Sequence, residues 1–218
     1  MNRRVLLTLA LLLPTLALAQ VKINPADVIE YEPVVPPMET STGADGVEVI
    51  ELFWYGCPHC YRLEPYIERW LEQKPDHVTY VRIPAIFPNR QTWENHARTF
   101  YAAEALGVID KVHRPFFDAI HAQRRKLNDE DAIAAFFVEL GIDEAEFRKA
   151  YGSFAVDGKV RRAAQLTRRY GIDGVPSLIV DGRFRTGPAL AGTYARTMPI
   201  VDALVEKARQ ERTQSAAR

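Results

Sequence analysis

Cysteine is almost missing from this chain: two of 218 residues, Cys57 and Cys60, with no third. That scarcity excludes a disulfide framework, and it excludes a four-thiolate zinc site, which needs a second pair. A lipid-anchored cysteine near the N-terminus is excluded too. An excess of either charge is also lacking. Lys+Arg and Asp+Glu stand at 28 each, so no strong field argues for nucleic acid. The runs "HAQRRK" and "KVRRAAQLTRR" read as solvated helix faces. There is no internal repeat and no long low-complexity tract.

What is present begins with "MNRRVLLTLALLLPTLALAQ". Arg3 and Arg4 precede an apolar run from Val5 to Ala19, and Ala17-Leu18-Ala19 forms a small-x-small cleavage site. The run is short of the roughly 20 residues of a membrane span, and Pro14 interrupts it. Residues 1–19 are therefore expected to be a signal peptide, with an uncleaved anchor as the alternative. Export then leaves a mature chain from Gln20 with a formal charge of −2, since both leader charges are arginines.

Export sharpens the reading of the two cysteines. A bridge between residues three apart closes a tiny loop and makes a poor staple. Cys57, His59 and Cys60 supply three potential metal ligands, but His59 lies on a different face of any helix; no metal site is expected. A redox-active pair is the reading that remains.

The surrounding pattern places the pair. "VEVIELFWY" (47–55) reads as a buried strand, Gly56 breaks it, and a helix follows from Pro58, with Pro65 expected to kink it. "HVTYVRIPAI" (77–86) is a second strand, completing a βαβ unit with Cys57 at the strand-to-helix junction. An edge strand through Val34 and Val35 is possible before it. Residues 90–170 read as helices throughout, with Thr92, Asn128 or Asp129, and Asp143 as caps and a kink or break at Pro115. A hairpin follows, Ser177–Val180 and Arg183–Thr186 about Asp181-Gly182, then a helix from Pro199 to Arg209 and a frayed tail over 211–218.

At the start of a helix, free amide hydrogens and the dipole favour an anion at Cys57. Cys60 lies one turn later and deeper. This makes Cys57 the expected attacking sulfur and Cys60 the resolving one, with Pro58 and His59 setting the electronics. Glu51 interrupts an apolar strand six residues before Cys57; on the face of Val47 and Val49 it would point into the core near the active-site helix. A buried carboxylate there has a raised pKa and can carry protons to and from Cys60; the alternative is a strand-edge charge reaching solvent.

Strand, C-P-H-C and helix, a helical insert, and "GVPS" before a hairpin together resemble the DsbA family of bacterial periplasmic disulfide oxidases. The likeness in layout covers roughly residues 30–210. It implies an α/β thioredoxin fold with an inserted all-helical domain: residues 20–88 and 160–210 forming the thioredoxin-like part and 89–159 the insert. It implies a cis peptide at Pro176, and the Val175 backbone pairing with extended substrates. The family has an acidic residue with a proposed proton role at the place of Glu51. It further implies newly exported cysteine-containing proteins as substrates and a membrane quinone-linked oxidase of the DsbB type as reoxidant. A monomer in the periplasm is expected, with no cofactor besides the Cys57–Cys60 disulfide. Gly56 before the first cysteine departs from other members and reshapes the surface beside the disulfide. An isomerase, a reductant or a non-catalytic metal-binding module are the alternatives. An isomerase would need a dimerisation domain longer than residues 20–46, and a reductant would more naturally carry Gly-Pro between its cysteines.

Overall fold

The structure, a computed structural model, describes residues 23–43 and 46–216. The expected signal peptide and its cleavage site lie outside the described residues. Five strands, β1 (Glu32–Pro33), β2 (Val47–Phe53), β3 (Val78–Pro84), β4 (Ser177–Val180) and β5 (Phe184–Thr186), form one sheet in the order β1-β5-β4-β2-β3. The central strand β2 pairs in parallel with β3 and antiparallel with β4. Every residue of β2 is buried, which is why its sequence shows no polar alternation.

Each face of the sheet has its own cover. α1 (Pro58–Leu71) and α8 (Tyr194–Ala216) bring Leu63, Ile67 and Leu204 against Val47, Val49, Leu178 and Val180. The opposite face, with Ile50, Leu52 and Ile179, shares a core with Val160 and Ala163 of α6 (Phe154–Arg169). Between β3 and α6 lie α2 (Gln91–Ala105), α3 (Ile109–His121), α4 (Glu130–Glu139) and α5 (Glu144–Tyr151). Their aromatic interior meets the sheet where β2 ends: Tyr55 packs edge-on against Phe116 and Phe117, with ring centroids 4.7 and 4.8 Å away. The short α7 (Pro188–Ala191) precedes α8. The helix starts at Asp129, Asp143 and Ser153 are side-chain capped, satisfying otherwise orphaned amides.

Several boundaries differ from those expected. The edge strand sits at Glu32–Pro33; Val34 still donates to the Arg183 carbonyl, but Val35 is exposed. β2 stops at Phe53 because the Cys57 amide turns back to the Trp54 carbonyl. α2 begins at Gln91, with no side-chain cap from Thr92. α3 continues through Pro115 without the break that was one of its two expected outcomes, and α1 contains Pro65 within its length. α8 starts earlier than Pro199, since Thr193 accepts from the Arg196 amide as its cap. It also runs to Ala216, so residues 211–216 are helical where a frayed tail was expected: Arg212 bonds the Gly46 carbonyl and Asp181, and Arg183 bonds Glu211. The hairpin turn is as expected. Asp181 and Gly182 have φ of 57° and 64°, the left-handed pair that Asp-Gly tolerates.

Candidate active site

Cys57 is the N-cap of α1, in an extended conformation, and Pro58 occupies the first turn where its missing amide costs nothing. Both cysteines are free thiols, and they differ in access. Cys57 keeps 7% of its surface exposed; Cys60 keeps none. The Cys57 Sγ lies 3.3 Å from the carbonyl oxygen of Val175, and the Val175–Pro176 peptide is cis. The sheet therefore brings together residues 118 apart in sequence.

The two sulfurs have opposite acidities. A hydrogen bond from Cys60, then the amides of Cys60 and His59 and the charge of His59, outweigh burial and push the Cys57 thiol down to about 6. Burial, together with the hydrogen bond to Cys57 and the charges of Cys57 and Glu51, raises Cys60 well above the ordinary thiol value. His59 is exposed, and its Nδ1 meets the Tyr194 hydroxyl at 2.8 Å, so α8 orients the ring. Its charge adds to the acidity that Cys60 and the helix amides give Cys57.

Glu51 is fully buried rather than reaching solvent at a strand edge. Its Oε2 accepts from the Tyr80 hydroxyl at 2.5 Å and from Arg82 Nε at 3.3 Å, while its Oε1 has no partner among the described residues. Burial and the Glu64 charge raise its pKa against the pull of Arg82. Arg82 also holds Glu64 of α1 at 2.9 Å, and Glu64 is equally buried. His113 Nε2 lies 3.4 Å from the other Glu64 oxygen, and its Nδ1 meets the Tyr55 hydroxyl at 2.9 Å. Burial pushes His113 down to about 3, so it is neutral at ordinary pH. Among the described residues, no three His, Cys, Asp or Glu side chains are grouped to hold a metal ion.

Gly56 has a steric reason. The indole of Trp54 lies over it so closely that a Cβ at Gly56 would stand 2.3 Å from the ring. Trp54 in turn stacks on Trp93 of α2.

Residues 79–195 match the family described as the DSBA-like thioredoxin domain. The thiol:disulfide interchange protein DsbA of Burkholderia cepacia is 40% identical over 188 residues, covering 86% of this chain and 88% of that protein. The chain belongs to the DsbA family. The DsbA of Pseudomonas aeruginosa is 39% identical over 180 residues, 83% of this chain and 84% of that one. A crystal structure of Pseudomonas aeruginosa DsbA superposes with a TM-score of 0.81 at 37% identity, covering 88% of this chain and all of that chain. The oxidoreductase DsbA of Xylella fastidiosa gives 0.75 at 26% identity, covering 83% and 95%. DsbA proteins are thiol:disulfide oxidoreductases, and the thioredoxin-like fold with added helices expected from the sequence is the fold of this member.

In this DsbA-family site, Tyr80, Arg82, Glu64, His113 and Tyr194 were not among the residues expected from sequence. Glu64 carried a signal: it stands beside Leu63 and four residues after Cys60, at the edge of the apolar stripe of α1. The others come from elements whose facing cannot be read before the sheet is assembled.

Proposed function

We propose that this DsbA-family member is a thiol oxidase that donates the Cys57–Cys60 disulfide to cysteine-containing proteins newly exported to the periplasm. The acidity contrast between an accessible Cys57 and a sealed Cys60 supports this reading above all else. A substrate thiolate attacks Cys57 Sγ; the disulfide breaks, and Cys60 leaves and takes up a proton. The resulting mixed disulfide is attacked by a second substrate thiolate at the substrate sulfur, and Cys57 leaves as a thiolate. Two electrons pass to the protein and the substrate gains a disulfide. Glu51, whose Oε1 is unpartnered, supplies the proton to Cys60. Val175 and Pro176 present backbone to an extended substrate. A quinone-linked membrane oxidase of the DsbB type returns the pair to the disulfide state. No helix of the described residues is long and apolar enough to cross a membrane.

Equilibration with glutathione at neutral pH tests the direction of the reaction. The expected result is a disulfide that oxidises glutathione almost completely; a pair that glutathione cannot reduce would make the protein a reductant or the bridge structural.

Glu51→Gln should slow the steps in which Cys60 gains or loses a proton by on the order of 10²-fold and flatten their pH dependence. Stopped-flow exchange rates unchanged from about pH 5 to 8 would make Glu51 a bystander.

Redox state and pH are linked through Cys57. Its pKa of about 6 lies below the unfolded-chain value of about 8.5. The reduced fold therefore gains stability that is fully present above about pH 8.5 and is lost as pH falls through 6. Forming the bridge removes this contribution but constrains the unfolded chain by about 2 kcal/mol for so short a loop. The thiolate contributes about 1 kcal/mol at pH 7 and more as pH rises, favouring the reduced form in the sense that an oxidising disulfide requires. Towards about pH 8.5 the reduced form should gain about 2 kcal/mol on the bridged form, allowing for solvent screening. Paired urea melts at about pH 5.5 and 8.5 check this. A difference between the two forms that ignores pH would mean that Cys57 is not a stabilised thiolate.

A further inference from the structure

His59 is an exposed residue of the C-P-H-C turn, and the Tyr194 hydroxyl, 2.8 Å from its Nδ1, is its one hydrogen-bond partner among the described residues. Without that bond an exposed imidazole is free to turn about its side-chain dihedrals and leave the neighbourhood of Cys57. Tyr194 has no such freedom. Its ring stacks on Tyr66 of α1, with centroids 6.4 Å apart and planes 20° from parallel. Tyr66 follows His59 by seven residues, two turns of helix, so both stand on one stripe of α1 about 10 Å apart along its axis. Tyr194 spans that interval, with its ring on Tyr66 and its hydroxyl on His59. The backbone that carries it is fixed as well. Thr193 accepts from the Arg196 amide, the Arg196 side chain pairs with Glu30, and Thr197, Ile200 and Leu204 further along α8 have no exposed surface.

We propose that Tyr194 is a positioning residue for the redox pair: by holding the His59 ring at the start of α1, it draws the dithiol–disulfide equilibrium toward the dithiol and strengthens the protein as an oxidant. This rests on the oxidase reading above and deepens it. The two redox states differ in charge beside the ring. In the reduced protein the Cys57 thiolate is present; in the disulfide form it is gone. The charge of His59 adds to the acidity of Cys57, and that attraction depends on how near the ring is kept. A fixed ring therefore stabilises the reduced state and gives the disulfide nothing in return. The hydrogen bond acts in the same sense. An imidazolium carries a hydrogen on each nitrogen, so Nδ1 donates and the Tyr194 hydroxyl oxygen accepts. A bond from a charged donor is stronger than one between neutral groups, so the ring is held most firmly in the state that acts on Cys57. The oxidising strength of the pair is thus set in part by a residue 135 positions from His59, at the start of the last helix.

Tyr194→Phe tests this, because it removes the hydroxyl and keeps a ring on Tyr66. Its equilibrium constant with glutathione at about pH 7 should move about fivefold toward the disulfide form relative to the parent. In a His59→Ala background the same substitution should change the constant by less than about 1.5-fold, since no imidazole is left to hold. The Cys57 thiolate, followed by its ultraviolet absorbance as pH is lowered, should be lost at a higher pH in Tyr194→Phe than in the parent. A constant that moves less than about 1.5-fold, or moves toward the dithiol, would overturn the role of Tyr194 while leaving the oxidase reading intact. So would an equal shift with and without His59, which would mark a packing effect through Tyr66. A parent disulfide that glutathione cannot reduce would overturn the oxidase reading instead, and the thiolate titration would still decide whether Tyr194 acts on Cys57.

Discussion

Arg82→Met is expected to cost about 3–5 kcal/mol of stability at pH 7, because it leaves two buried carboxylates without their cation. Glu51 and Glu64 are both sealed from solvent, and Arg82 is the cation that reaches each of them, at 3.3 and 2.9 Å. Burial raises both carboxyl pKa values even with Arg82 in place, and its loss should raise them further. The sign of the pH dependence follows. Groups whose folded pKa is raised contribute stability below their unfolded value, about 4.3, and lose it as pH rises through the folded value. The variant should therefore be closest to the parent in acid and fall behind as pH rises. Adding Glu51→Gln to Arg82→Met should recover part of the loss at pH 7. Urea melts from about pH 4.5 to 8 decide this; a loss below about 1 kcal/mol, or one that shrinks as pH rises, would mean that Arg82 is not what balances the buried pair.

Cys57→Ser is expected to abolish disulfide exchange, with a loss on the order of 10³-fold or more, whereas Cys60→Ser should trap substrates. The asymmetry comes from access and acidity together. Cys57 keeps 7% of its surface open and has the depressed pKa; Cys60 keeps none. In Cys60→Ser an incoming disulfide is opened by the Cys57 thiolate, and no second thiol is present to release the adduct. Incubation with a disulfide-bonded peptide, followed by acid quench and mass spectrometry, should show the adduct at Cys57 as the dominant species. The reverse pattern, with adducts forming on Cys57→Ser, would exchange the two roles.

The features legible in the sequence were those set by neighbouring residues. The Cys57–Cys60 pair, Pro58 in the first helical turn and the Asp181-Gly182 hairpin all depend on local backbone chemistry, and all sit where the sequence puts them. Glu51 was legible for a related reason, as a charge breaking a strand too apolar to have a wet face. Its partners were not. Tyr80 and Arg82 alternate with aliphatic residues in β3, a pattern that equally suits a half-exposed strand, and only pairing with β2 sets Arg82 opposite Glu51. His113 sits inside an amphipathic helix whose facing depends on where the aromatic core of the insert meets Tyr55. The same limit explains the misplaced ends of α8. Pro199 reads as a helix start, but the Thr193 cap and the anchors Arg212 and Glu211 act through contacts that the local sequence does not announce.

The pairing of β2 with both β3 and β4 has a consequence for the order of assembly. β3 follows β2 within the same unit, but β4 arrives more than a hundred residues later, after the whole helical segment. A chain emerging from its N-terminus can close β2, α1 and β3 early, leaving the antiparallel edge of β2 bare until β4 and β5 appear. Such distant pairings carry a loop-closure cost that slows folding and prolongs the time an unpaired strand is open to other chains. Until β4 and the residues before it are made, the Val175 carbonyl that faces Cys57 is absent from the chain. The redox pair is translated early, but the cis-proline loop that faces it is among the last parts of the chain to be made.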